Sequence, residues 1–178
     1  MTEAIAPTST TALRRHRAAN ANGPASCRVW LFHAHVYFDH AAAERIAEAR
    51  RFMELIRETF TDGHVEVHAF IPLPAGPHPR GSFEVLFTRE AFVEHVTWMM
   101  FARPPSLDVL IHPLTRSQVL DHGPRAFWLG TPLALGTALL AAADARLEEA
   151  GRSEESIIEA TKRHVLPAPA AAGGGTHR

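Results

Sequence analysis

The fold is decided by residues 28–38, RVWLFHAHVYF, a run rich in aromatic and β-branched side chains. This composition predicts a β-strand. Side chains alternate between the two faces of a strand, so the even positions from 30 to 38 form one apolar face. The opposite face carries His33, His35 and Tyr37. We expect the apolar face to pack beneath helices and the histidine face to remain open.

Further elements can be placed outward from this strand. Asp39 is a candidate N-cap for a helix that runs to residue 60, and Thr88 is a candidate cap for a helix at 89–102. Four prolines make residues 71–81 a loop. Strands are predicted at 64–70, 82–87 and 107–112. The order β-α-β-β-α-β predicts an α+β, ferredoxin-like sandwich. Its four-stranded antiparallel sheet would have both helices on one face, strands one and three in the centre, and strands two and four at the edges.

The chain beyond this core divides into tails and helices. Residues 1–26 and 167–178 lack hydrophobic periodicity and are predicted to be disordered tails. Residues 27–150 form the predicted domain. Its last part, 128–150, contains a helix with Leu135, Leu139 and Ala142 on one side, which we interpret as core cover for the fold or as a dimer face. Residues 151–166 hold a further C-terminal helix.

Charge and hydropathy exclude several classes of partner. A formal net charge of −1 gives no reason to expect nucleic acid or an anionic membrane surface. No apolar run approaches the roughly 20 residues that a transmembrane helix needs, and no secretory signal is apparent. The single cysteine, Cys27, cannot form an internal disulfide. We therefore expect a soluble protein in the cytoplasm.

The chain has twelve histidines, and the alternation of the strands places several of them together. The polar face of the predicted sheet carries His33, His35, His68, Glu84 and His112. Two imidazoles two residues apart on one strand can reach one metal ion. His78 lies in Gly76-Pro77-His78-Pro79, where the flanking prolines restrict its backbone.

Simpler interpretations remain open for each of these histidines. A polar residue on an uncovered sheet face is usually only solvated, and His64, His95 and His164 are interpreted in that way. His16 and His177 belong to the tails. Asp121 beside His122 is either a surface accident or part of an outer shell around the ligands. His112 and His78 lean toward opposite ends of the sheet, so both need not reach the same ion.

These motifs occur in an order that resembles the DOPA 4,5-dioxygenase family of small ferredoxin-like proteins. The resemblance covers residues 28–135 and rests on five stretches: HAHVYF at 33–38, GPHP at 76–79, FEV at 83–85, IHP at 111–113, and Asp121-His122 through WLG at 128–130. Two differences lie near the expected substrate region: Val65-Glu66-Val67 before His68, where the family often has Gly-Arg, and Leu114 to Ser117 after His-Pro, where an acid and Gly-Asp are common.

The resemblance implies extradiol cleavage of a catechol such as L-DOPA, with non-haem Fe(II) and O₂. It implies that three of His33, His35, His78 and His112 bind the metal. His68 and His122 are candidates for acid–base catalysis or for support of the metal ligands. Glu84 could complete a two-histidine, one-carboxylate set, or it could be solvated or orient a ligand. The partner would be a small aromatic substrate.

Two alternatives to the dioxygenase remain at this point. The chain could be a non-catalytic module that binds a small aromatic compound or stores metal, or a metal-dependent enzyme of another type. An open sheet face also often pairs with a second subunit, so we expect a homodimer.

Overall fold

A computed structural model of the chain describes residues 29, 31–115 and 117–151. The predicted tails at 1–26 and 167–178 lie outside these residues, and so does the predicted helix at 151–166 apart from Gly151. The described elements are β1 (Phe32–Phe38), α1 (Ala43–Thr59), β2 (Val65–Ile71), β3 (Gly81–Phe87), α2 (Phe92–Ala102), β4 (Asp108–Pro113), α3 (Gln118–His122), β5 (Phe127–Leu129) and α4 (Thr137–Glu149).

The fold is α+β, with one antiparallel sheet in the order β2-β3-β1-β4-β5. β1 pairs with β3 and β4, and β2 lies at one edge, as the sequence predicts. The prediction of four strands with β4 at the other edge is wrong, because β5 pairs along β4. This short strand becomes the edge and brings Trp128 opposite Leu110.

The apolar face of the sheet forms the main core beneath α1 and α2. Ala34, Val36 and Phe38 are fully buried there, together with Ile56 of α1 and Met99 of α2. Each large apolar side chain removed from water contributes about 1.5–3 kcal/mol to folding. The parity predicted for β1 is therefore confirmed on this face.

The predicted alternation of β2 is wrong in its second half. The register with β3 shifts between Val67 and Phe70, so an irregularity interrupts the strand there. Phe70 then pairs with Phe83 and packs against the core. Because of this shift, Phe70 takes the place that simple alternation would give to Ala69.

Both predicted helix caps are wrong. The N-cap of α1 is Ala42, which makes no side-chain capping bond, while Asp39 Oδ1 accepts a hydrogen bond from Ala41 N. α2 begins after Ala91, and the hydroxyl of Thr88 hydrogen-bonds to His64 Nδ1 over 3.0 Å. Asp39 therefore stabilises the turn before α1, whereas Thr88 joins the end of β3 to the residue that precedes β2.

The second face of the sheet is not open, which contradicts the sequence-based expectation. Leu31 and Leu86 are buried in a second small apolar cluster that includes Leu147 of α4. On α4 the buried residue is Leu140, whereas Leu139, expected on the apolar stripe, is 58% exposed. The segment after β4 thus covers the histidine face. Within the described residues, no helix combines the length and apolarity needed to cross a membrane.

Candidate metal centre

Five histidines from four segments meet on the covered face. β1 supplies His33 and His35, and β4 supplies His112, which lies directly opposite His33 in the register. The proline-rich loop before β3 supplies His78, and α3 supplies His122. Four of these histidines are buried, and the fifth, His122, is partly buried. The predicted convergence of His33, His35, His78 and His112 is therefore observed, although the predicted open setting is not.

The first group of potential ligands consists of His33, His35 and His112. One nitrogen of each ring lies within 4.8 Å of the others. His35 Nε2 and His112 Nε2 are 3.0 Å apart. Two nitrogens bound at about 2.1 Å and at a right angle would be about 3 Å apart, so this pair already has a spacing that suits one ion.

A second group shares His35 and adds His78 and His122, with its nitrogens again within 4.8 Å. The ring centroids of His35 and His78 are 4.3 Å apart, and those of His112 and His122 are 4.0 Å apart. His112 and His78 belong to different groups, so His35 is the residue that joins them.

α3 is held in place so that His122 reaches the cluster. Ser117 Oγ caps this helix by accepting from Leu120 N. Asp144, on α4, accepts hydrogen bonds from Gln118 N at 2.9 Å and from Val119 N at 3.2 Å. A carboxylate suits the positive end of a helix. α4 therefore fixes the orientation of the turn that carries His122.

The loop that carries His78 is also fixed by the backbone. Ala75 and His78 exchange two backbone hydrogen bonds, at 3.0 and 3.2 Å. Gly76 between them has φ +57°, which suits a residue without a Cβ. Gly136 N donates to Pro77 O at 2.9 Å and ties the loop to the segment before α4.

The ring nitrogens that point away from the cluster make hydrogen bonds, and these bonds fix which nitrogens turn a lone pair toward the cluster. His112 Nδ1 lies 2.8 Å from Pro113 O, and His122 Nδ1 lies 3.0 Å from Gln118 O. A carbonyl can only accept, so both Nδ1 atoms carry the hydrogen and both Nε2 atoms are bare. His35 Nδ1 faces Glu84 Oε1 at 3.4 Å. Partners of this kind orient metal-binding histidines in many proteins.

These contacts test whether a cation fits. If the 3.0 Å contact were an ordinary hydrogen bond, His35 would carry its hydrogen on Nε2 and turn a bare Nδ1 toward a carboxylate oxygen. If His35 instead carries its hydrogen on Nδ1, two lone pairs face each other across 3.0 Å. A cation between them removes both conflicts, so the residues present fit a metal ion.

Burial keeps the cluster neutral. It lowers the pKa of His33 and of His78 from 6.5 to about 4, although the nearby Glu84 carboxylate opposes the shift in each case. Burial and then the neighbouring histidines hold the pKa values of His35 and His112 well below the usual range. Burial also lowers the pKa of His122. Metal ligands must be deprotonated, so these rings can bind a cation at neutral pH.

The remaining predicted site residues lie nearby but outside both groups. Glu84 is 4% exposed and pairs with His35 in the register, as expected from the sequence. His68 is buried, with Nε2 at 3.7 Å from Glu66 Oε2. Asp121 is buried and accepts hydrogen bonds from Thr115 N and Thr115 Oγ1, so its carboxylate supports the preceding turn.

Two residues of the site have no role assigned by the sequence interpretation. Tyr37 is fully buried, and its hydroxyl lies 2.7 Å from His78 Nδ1. Trp128 stacks on the Tyr37 ring at 5.6 Å. The sequence could have identified Tyr37, because the alternation of β1 places it on the same face as His33 and His35. It gave no comparable signal for Trp128, because β5 has only three residues and shows no periodicity.

The interpretation of His95 as a solvated residue is wrong. His95 lies in the core side of α2 with no exposed surface, against Phe60, Phe87 and Trp98. His64, which was also interpreted as solvated, is half-buried, and its ring hydrogen-bonds to the hydroxyl of Thr88. His164 lies outside the described residues.

Comparison with known proteins places this geometry in a family. The model of the Dopa 4,5-dioxygenase family matches residues 32–139. The chain is 36% identical over 117 residues to an uncharacterized 21.2 kDa protein of Botryotinia fuckeliana and 31% identical over 115 residues to the DOPA 4,5-dioxygenase of Amanita muscaria. Each match covers 61% of this chain, and the two cover 62% and 49% of the relatives, less than two thirds of their length.

A solved structure agrees with these matches. The chain resembles the crystal structure of a candidate dioxygenase from Nostoc punctiforme PCC 73102, with a TM-score of 0.59 and 37% identity. The match covers 65% of this chain and 94% of that one. The family model, the curated relative and this structure all point to a dioxygenase. The family match spans more than half of the sequence, and the chain belongs to the Dopa 4,5-dioxygenase family.

Proposed function

We propose that the protein is a non-haem Fe(II) extradiol dioxygenase that opens the ring of a catechol such as L-DOPA with O₂. The observation that carries the proposal is the 3.0 Å pair of His35 Nε2 and His112 Nε2, with outer nitrogens that face hydrogen-bond acceptors. The family supports oxygen chemistry. Imidazole ligands suit iron among other transition metals.

His33, His35 and His112 would hold the ion, and His78 and His122 would line the adjoining space. When bound, Fe(II) would supply the electrons for oxygen activation and open positions for a catechol and O₂. The cover formed by α3, α4 and the His78 loop limits the access of water to this space. A low-dielectric setting strengthens every hydrogen bond made there.

The surrounding side chains would handle protons. A neutral His122, whose Nε2 is bare, can accept the proton of a catechol hydroxyl. Such a positioned base typically contributes 10²–10⁴-fold to a rate. Glu84, beside His35, would help to orient that ring. His68 remains a proposed acid–base residue or a residue that supports the metal ligands.

An anaerobic assay tests the function directly. The protein is loaded with Fe(II), given a panel of catechols and then oxygen. A yellow semialdehyde product with matching oxygen uptake is the expected result. Tight metal binding without ring opening would favour metal storage or another chemistry. Absence of metal binding would favour a module that binds aromatic ligands.

Single replacements test the proposed ligands. His33→Ala, His35→Ala and His112→Ala should each lower the iron content, measured per folded protein. His64→Ala is the matched control, because His64 bonds to Thr88 and belongs to neither ligand group. Wild-type iron content in all three ligand variants would reject the assignment.

The fold classification and the cellular setting are part of the same proposal. The order β2-β3-β1-β4, with a helix between β1 and β2 and another between β3 and β4, supports a ferredoxin-like core extended by β5. The single cysteine supports a reducing compartment such as the cytoplasm.

The homodimer also stays a proposal, on a new basis. The covered sheet face no longer supports it. The exposed side of α2 carries Val93, Met100 and Phe101, which are 75%, 56% and 86% exposed, and a second copy packed there would remove them from water. Light scattering should give twice the chain mass, and a monomer at all concentrations would reject the dimer.

A further inference from the structure

The hydrogen bond between Tyr37 and His78 bears on which histidines bind metal. Tyr37 Oη lies 2.7 Å from His78 Nδ1, and both side chains are buried. Tyr37 follows His35 by two residues on the same face of β1, and His78 approaches from the loop before β3. The contact therefore joins the sheet to the loop at the edge of the second histidine group.

The direction of this hydrogen bond follows from the available partners. If His78 Nδ1 donated, the hydroxyl hydrogen of Tyr37 would need another acceptor. Among the described residues, His78 is the hydrogen-bond partner of this hydroxyl. A buried donor left without an acceptor costs about 1–3 kcal/mol. The arrangement in which the phenol donates to Nδ1 avoids that cost.

A neutral imidazole carries one hydrogen, so an accepting Nδ1 places that hydrogen on Nε2. His112 and His122 have the opposite tautomer, because their Nδ1 atoms donate to carbonyl oxygens. The histidines of the centre are therefore chemically different, although they have similar burial. His112 and His122 turn lone pairs inward, whereas His78 turns an N–H inward.

We propose that Tyr37 is a positioning residue that fixes His78 in the Nε2–H tautomer, so that His78 serves as a hydrogen-bond donor in the site and not as a metal ligand. Its N–H would bind an oxygen atom of the catechol or of O₂. The donor role rests on the proposed function, whereas the tautomer does not.

The Tyr37 hydroxyl can be removed without disturbing the contacts that hold the Tyr37 ring and the His78 loop. The His78 loop is held by the bonds between Ala75 and His78 and by Gly136 N to Pro77 O. The Tyr37 ring is held by its stack on Trp128. Tyr37→Phe therefore removes the hydroxyl while leaving these other contacts in place.

Nuclear magnetic resonance of the metal-free protein tests the tautomer without any turnover. In histidine-labelled protein at pH 7.5, ¹⁵N shifts distinguish a bare ring nitrogen from one that carries hydrogen. His78 should show a bare Nδ1 and a protonated Nε2, and His112 and His122 the reverse. His78→Gln assigns its signals. In Tyr37→Phe the His78 shifts should move toward averaged tautomers. A protonated Nδ1 in the wild type would overturn the proposal.

Metal content provides the second measurement. His78→Gln and Tyr37→Phe should keep the wild-type ratio of iron to protein, whereas His112→Ala should lose most of it. Loss of iron from His78→Gln to the extent seen in His112→Ala would show that His78 is a ligand and would overturn the proposal. Thermal unfolding verifies that each variant is folded.

Kinetics separate this proposal from the function itself. In a wild type that opens catechols, Tyr37→Phe should lower kcat by about 10-fold or more with little change in KM, because a donor that acts in the transition state affects kcat. An unchanged kcat would reject the donor role. If the wild type opens no ring, the proposed function fails while the tautomer and iron results still decide the assignment of His78.

Discussion

His95 provides a quantitative test of how this core treats a buried imidazole. The ring has no exposed surface, and neither of its nitrogens has a hydrogen-bond partner among the described residues. Burial lowers its pKa from 6.5 to about 4. His95→Leu replaces the ring with an apolar side chain of similar volume among Phe60, Phe87 and Trp98.

The magnitude follows from proton linkage. Because the folded pKa lies below the unfolded one, His95 reduces stability as pH falls, starting near 6.5 and continuing toward 4. Between a pKa of 6.5 and one of about 4, the loss relative to pH 7.5 is about 2 kcal/mol at pH 5 and about 3 kcal/mol at pH 4. His95→Leu should remove this loss.

At pH 7.5 the same substitution should raise the free energy of unfolding by about 1 kcal/mol. Two buried nitrogens without partners cost about 1–3 kcal/mol each. Part of that gain is offset by the lost ring contacts, which are worth about 0.5–1.5 kcal/mol per aromatic pair.

The assay is urea unfolding of the wild type and variants at several pH values from 7.5 to 5. Other buried histidines also titrate, so the informative quantity is the difference between variant and wild type, which should grow by about 2 kcal/mol over this range. His95→Gln is the matched control: it keeps a buried polar group without titration and should share the pH effect but not the gain at pH 7.5. A difference that stays constant with pH would refute the reasoning.

Three further outcomes are expected. Gly130→Ala should lower the free energy of unfolding by about 2 kcal/mol or more, because φ is +100° and the new Cβ would lie 2.5 Å from Asp108 Oδ1. Gly151→Ala, whose new Cβ would have nothing within 4 Å, should lower it by less in urea unfolding, and equal losses would contradict the steric argument. Asp144→Ala should lower stability by about 2 kcal/mol and speed amide exchange at Gln118 and Val119, which donate to this carboxylate, whereas Glu148→Ala on the same helix should leave that exchange unchanged. Phe101→Ser should shift the proposed dimer toward monomer in light scattering, and an unchanged mass would exclude α2 as the interface.

The parity of β1 could be predicted from the sequence because each of its faces has one character. One face carries apolar side chains at 34, 36 and 38, and the other carries histidines at 33 and 35. Only the apolar face can therefore pack against the core. His112 followed from the same reasoning on β4. Glu84 then fell opposite His35, as the register shows. The fold core and the ligand positions on strands were therefore within reach of period-two patterns.

The cover of the site could not be predicted, because its elements are short or weakly patterned. α3 has five residues and β5 has three, too few for a hydrophobic period to emerge. The irregularity in β2 and the alanine caps of α1 and α2 depend on tertiary contacts. His95 was within reach, however: it lies four residues before Met99 on α2, so a helical projection places both on the buried side.

The covering of the histidine face changes the chemistry that the same side chains can perform. On an open face, imidazoles would titrate near pH 6.5, and protons would compete with a metal ion for their nitrogens close to neutral pH. Under the cover of α3 and α4, burial and mutual repulsion keep them neutral. Neutral rings packed at 3.0 Å carry an uncompensated cost that a cation can relieve. The segment after β4 is therefore what makes the histidine face suited to a metal.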